Sequence, residues 1–112
     1  MKPHSPKRKR GPEREIQDRI IDFLKVRDWV VMETHGNEYQ HGFPDLYAMH
    51  PLYGQRWIEV KKPVGYVFTN AQHRFFPLFL ACKIGIWIMV EANETEYQKL
   101  FEKPNLWKYY KL

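Results

Sequence analysis

The chain is nearly without cysteine. Cys82 is the single one among 112 residues, so no disulfide can form within the chain. His35 and His41 likewise have no cysteine cluster with which to build a structural zinc site. Because it lies in an apolar segment, Cys82 is expected to be a small core residue. Long apolar runs are missing as well. None reaches the length that spans a bilayer, and the first residues lack the apolar core of a secretory signal. These absences predict a cytoplasmic chain with no membrane association. No internal repeat and no second domain is visible. Acidic residues are missing from one place in particular: residues 1–12 hold Lys2, Lys7, Arg8, Lys9 and Arg10 and no Asp or Glu.

That local absence accounts for the whole net charge of +5, since the other 13 Lys and Arg balance 13 Asp and Glu. The body is therefore formally neutral. A proline-bearing basic tail over residues 1–12 is expected to be disordered. It would serve as a phosphate-contacting arm, as a solubilising extension that touches nothing, or as a sorting signal. The chain is 44% hydrophobic and 16% aromatic, a composition that predicts a packed globule. Residues 13–112 are enough for one small domain with a modest core.

Periodicity outlines the elements. Residues 13–27 read as a helix with Ile16, Ile20, Phe23 and Leu24 as its buried stripe. Pro12 and the acids of the first turn suit its start. Residues 29–34 read as a strand. Residues 69–83 read as a second helix, where Thr69 and Gln72 have capping-box spacing. Pro77 inside it should either bend the helix or shift its start. Residues 84–91 are an unbroken apolar run that reads as a central strand buried on both faces. Residues 93–102 suggest a short third helix capped by Asn93 or Thr95. The aromatic tail, with Leu106, Trp107, Tyr109 and Tyr110, would pack as a last edge strand, form a dimer contact or stack nucleobases.

The most informative stretch is residues 42–62, GFPDLYAMHPLYGQRWIEVKK. It reads as two strands joined through the breakers His50, Pro51 and Gly54. Alternation in a strand puts Glu59 and Lys61 on one face and Ile58 and Val60 on the other. If the strands pair antiparallel, their outer ends meet and Asp45 arrives beside Glu59 and Lys61. Two carboxylates are hard oxygen ligands of the kind magnesium prefers. An amine beside such a metal can position the attacking water or neutralise phosphate charge, which suits hydrolysis of a phosphodiester.

Pro44-Asp45 followed by Glu59-Val60-Lys61 resembles the PD-(D/E)XK nuclease signature. The wider set (an acidic helix start, GFPDL, WIEVKK and FTNAQ) resembles the VRR-NUC branch over about residues 13–98. That branch includes small stand-alone nucleases of phages and bacteria and the nuclease domain of a eukaryotic DNA-repair enzyme. The resemblance implies an α/β fold with a restriction-endonuclease-like core: a mixed sheet with a central antiparallel hairpin, flanked by helices. It implies a magnesium- or manganese-dependent DNA endonuclease in which Asp45 and Glu59 bind the metal, with the Val60 carbonyl as an extra ligand. A helix-borne glutamate completes the shell, here Glu13, with Glu15 as the fallback. Lys61 would position or activate the water, and Gln72 would face the site and help orient it. Products would be a 5′-phosphate and a 3′-hydroxyl. Small relatives act as dimers on branched DNA, which points to a homodimer and a Holliday-junction-resolvase-like activity.

Two other readings stand beside this one. The chain could be a non-catalytic nucleic-acid-binding module with a vestigial nuclease site, served equally well by the basic tail and the aromatic C-terminus. Or EVKK could be an ordinary amphipathic strand of a structural protein. An acid and a lysine facing inward beside Trp57 argue against the last, because buried charges without partners are costly. His35, Asn37 and Tyr39, in the polar loop before Gly42, are candidate substrate contacts. Lys62 would be a DNA contact or a solvated charge.

Overall fold

The computed structural model describes residues 11–34 and 42–111. The first helix, α1 (Pro12–Val26), starts with Pro12 at its first position, where a missing N–H costs nothing. It buries Ile16, Gln17, Ile20, Ile21 and Leu24. Phe23, expected in that stripe, lies at its margin and stacks on Tyr97 with ring centroids 3.9 Å apart. The helix α1 thus begins at Pro12, one residue before the expected start at residue 13. The basic residues of the tail lie outside the described residues.

Among the described residues four strands follow in one sheet, β1 (Val30–Glu33), β2 (Leu46–His50), β3 (Gly54–Val60) and β4 (Ile86–Met89), in the order β1-β2-β3-β4. The β1–β2 and β2–β3 pairs are antiparallel and β3–β4 is parallel. The expected hairpin is thus β2–β3, with Leu46 opposite Ile58 and His50 opposite Gly54. Gly54 has φ 79°, a left-handed conformation that suits glycine at the turn. The second helix, α2 (Asn70–Ala81), is the crossover between the parallel strands β3 and β4.

Alternation along the strands divides the core. Leu46, Ala48, Ile58 and Val60 pack with the buried face of α1. Trp57 lies on the opposite side with Phe76 and Phe79 of α2, Ile86 and Ile88 of β4, and Leu106 and Tyr110. Glu59, between Ile58 and Val60, therefore faces the α2 side.

Three expectations need correction. The apolar run over residues 84–91 does form a strand whose residues are all buried, but β4 lies at an edge of the sheet. Its free edge is covered from the C-terminal side. The Asn105 carboxamide accepts from Ile88 N–H at 2.6 Å and donates to Ile88 O at 3.2 Å, as a neighbouring strand would. Glu96 accepts from Val90 N–H at 3.0 Å. Side-chain groups have replaced a strand, so the aromatic tail forms no edge strand but a 3-10 turn, Leu106–Lys108. Cys82 is exposed, because it is the C-cap residue where α2 has already ended. Pro77 stays inside α2, whose start is fixed by Thr69. The third helix, α3 (Glu94–Gln98), is capped by Asn93, whose side chain accepts from Glu96 N–H at 2.9 Å. No helix among the described residues is long and apolar enough to cross a membrane.

Candidate active site

Asp45 immediately precedes β2, and the hairpin register carries it opposite Glu59 near the end of β3. The two residues interlock. Asp45 N–H donates to Glu59 Oε1 at 3.2 Å, and Val60 N–H donates to Asp45 Oδ2 at 2.7 Å. Thr34 holds the approach to β2 from the far side: its N–H donates to Asp45 O at 2.9 Å and its hydroxyl to Pro44 O. The short GFPD run is therefore held by a backbone hydrogen bond from Thr34, just past β1, and by side-chain-to-backbone hydrogen bonds with β3.

Lys61 lies one residue beyond β3, and its N–H donates to Met89 O at 2.9 Å, prolonging the parallel ladder. This fixes its side chain on the same face as Glu59. Lys61 Nζ is 3.2 Å from Glu59 Oε2, donates to Gln72 Oε1 at 2.8 Å and to Val67 O at 2.6 Å, and sits 4.6 Å from the centroid of Phe68. An ammonium over an aromatic face is attracted by the ring quadrupole.

Gln72 does two jobs. Its side chain and Thr69 form a reciprocal capping box at the start of α2, with Thr69 N–H donating to Gln72 Oε1 at 3.0 Å and Gln72 N–H to Thr69 Oγ1 at 3.1 Å. Its amide nitrogen donates to Glu59 Oε2 at 2.7 Å. The cap and the site are one network, so the position of α2 is tied to the charge pair on β3.

Four of the expected residues thus converge: Asp45, Glu59, Lys61 and Gln72. Val60 joins through its backbone N–H, while its side chain belongs to the core against α1. Glu13, in the first turn of α1, accepts from Lys62 N–H at 3.0 Å, which brings it to the end of β3 on the helix side. Glu15 turns outward and pairs with Arg19 at 2.8 Å. Of the two glutamates, Glu13 is therefore the one near the site. Among the described residues, no three His, Cys, Asp or Glu side chains form one metal-ligating group. Lys62 is exposed. His35, Asn37, Tyr39 and His41 lie outside the described residues.

No family model, curated protein or solved structure matches the chain. What the site can do is therefore argued from its own chemistry. Two carboxylates brought together by the hairpin, 14 residues apart in sequence, with Asp45 N–H donating to the Glu59 carboxylate, are a hard-oxygen donor pair of the sort magnesium or manganese takes. This donor set fits such an ion. The neighbouring amine and carboxamide supply donors for an anionic oxygen or a water. The four side chains are almost fully buried, at 2% exposure for Asp45, 0% for Glu59, 2% for Lys61 and 3% for Gln72.

Two contributors had little or no signal in the sequence. Val67 acts through its carbonyl, which carries no side-chain signature. Thr34 looks like any strand end.

Proposed function

We propose that the protein is a metal-dependent DNA endonuclease with a restriction-endonuclease-like core. The observation that carries this reading is the meeting of Asp45, Glu59, Lys61 and Gln72 on the α2 side of the hairpin, with Asp45 N–H on Glu59 and Lys61 Nζ 3.2 Å from Glu59. The order helix, three antiparallel strands, helix, parallel strand supports the fold assignment.

In this reading Asp45 and Glu59 hold the ion, with the Val60 carbonyl as a further ligand and Glu13 completing the shell directly or through water. A bound magnesium or manganese ion would polarise the phosphoryl oxygen and lower the pKa of a bound water. Lys61 positions or activates the water through its ammonium, and Gln72, locked by the cap, restricts where that ammonium can point. Cleavage leaves a 5′-phosphate and a 3′-hydroxyl. The small size leaves little surface for reading a long base sequence, so recognition rests on DNA shape. A branched substrate such as a Holliday junction, cut inside the cell by a homodimer, is the substrate proposed.

One observation favours the second reading, a nucleic-acid-binding module with a vestigial site: the near-complete burial of the four side chains. A cleavage assay separates the two. Four-way junction, linear duplex and single strand are each incubated with magnesium, manganese or EDTA, using wild type, Glu59→Gln and Asp45→Asn. Metal-dependent cutting that falls at least a hundredfold in both variants is the expected outcome. Removing one partner of a buried ion pair costs about 3–5 kcal/mol, so each variant's thermal midpoint is measured alongside. Equal cutting by a folded Glu59→Gln protein would overturn the assignment. Binding without cutting in every metal would leave the binding module.

A further inference from the structure

Trp107 is 71% exposed, whereas Trp29 and Trp87 are 4% and 7% exposed. Tryptophan is highly buried on average, so a mostly exposed indole calls for an explanation. It is not explained by a loose chain end. Asn105, two residues before it, is locked to both backbone groups of Ile88. Leu106 is 1% exposed in the core. Tyr110 is 6% exposed, and its hydroxyl lies 3.0 Å from His73 Nδ1. The indole is held out to solvent by anchored neighbours on both sides.

Around it lies a concavity of about 350 Å³ lined by Lys99, Glu102, Lys103, Pro104, Trp107 and Lys108, among others. Lys99 is committed to Glu96 and to the Tyr109 hydroxyl. Lys103 is exposed and Lys108 lies 5.4 Å from the Trp107 ring. Residues 99–112 carry four lysines against one glutamate. A preset aromatic face beside unneutralised lysines matches the two features of an unpaired nucleic-acid strand, a flat base and a phosphate. A neutral apolar partner would gain nothing from the lysines.

The same segment adjoins the candidate active site. The Tyr109 ring is 6.0 Å from Tyr66, Tyr66 is 6.1 Å from Phe68, and Lys61 Nζ sits over Phe68. We infer that Trp107, with Lys103 and Lys108, is a stacking platform for a base of single-stranded DNA leading to the active site. This rests on the nuclease reading and adds to it a preference, among branched substrates, for those that offer an unpaired strand beside the cut.

The test is binding, read separately from cleavage. Fluorescein-labelled oligothymidylate and a blunt linear duplex are titrated by anisotropy in EDTA with wild type, Trp107→Ala and Trp107→Phe. Loss of one stacked base corresponds to roughly a tenfold weakening. Trp107→Ala should therefore bind the single strand about tenfold more weakly and the duplex within twofold of wild type, and Trp107→Phe should recover most of the loss. Indole emission should be quenched by the oligothymidylate in wild type. Unchanged affinity, or equal weakening on both probes, would overturn the proposal. So would sedimentation showing that Trp107→Ala turns a wild-type dimer into a monomer, since the indole would then be a contact between copies. Because EDTA suppresses cutting, these outcomes leave the nuclease assignment to its own assay.

Discussion

Gly42 shows how a single residue can fix the candidate site from outside it. Its φ is +84°, and a Cβ there would fall 2.6 Å from Ala71 O and 2.8 Å from Phe75 Cδ2. The chain entering Phe43-Pro44-Asp45 thus lies directly against α2, the helix that supplies Gln72. Gly42→Ala is expected to destabilise the protein by about 2 kcal/mol, combining a left-handed backbone with a backbone clash. Urea unfolding measures this, and an unchanged midpoint would show that the loop yields without cost. At the same scale, Gln72 resolves a choice that spacing alone left open. Thr69-x-x-Gln72 is legible as a cap, and the cap is present. That its amide also reaches Glu59 depends on where α2 lies over the sheet, which no local pattern encodes.

Strand β4 carries the lesson at the scale of elements. Burial on both faces was legible from IGIWIMV, and the run was expected in the middle of the sheet. Yet a strand buried on both faces can lie at an edge if something else satisfies its free backbone groups. Here Asn105 does so, from 17 residues away. Asn105→Ala would leave Ile88 N–H and O buried without partners, at about 1–3 kcal/mol. The expected signature is a lower urea midpoint together with faster hydrogen exchange at the Ile88 amide. Unaltered exchange at that amide would show that the edge is protected by other means.

For the molecule as a whole, charge and architecture divide along the chain. The described body is built on a two-sided core, while the five excess positive charges belong to residues 1–12. Since α1 needs Gly11 and Pro12 for its start, a clean deletion removes residues 1–10 only. Each phosphate neutralised contributes about 0.9 to the salt slope. The truncated protein should therefore bind duplex DNA more weakly, with a log-log salt dependence shallower by up to about 4.5, and should retain its thermal midpoint. Anisotropy titrations over a salt series read the slope directly. An unchanged slope would assign the tail to a role away from DNA.

The sequence alone was enough to place the elements and the facing of the hairpin. Period-two alternation dictates that Glu59 and Lys61 share a face, and breaker residues dictate the turn that brings Asp45 back to them. The placing of Glu13 at the end of β3 and of Glu15 on the outer face, the edge position of β4, the exposure of Cys82 and Trp107 and the joining of Gln72 to Glu59 came only with the tertiary structure. Each depends on how one element lies against another distant in sequence. Local propensity and periodicity are short-range signals, whereas packing and backbone satisfaction are settled across the whole fold.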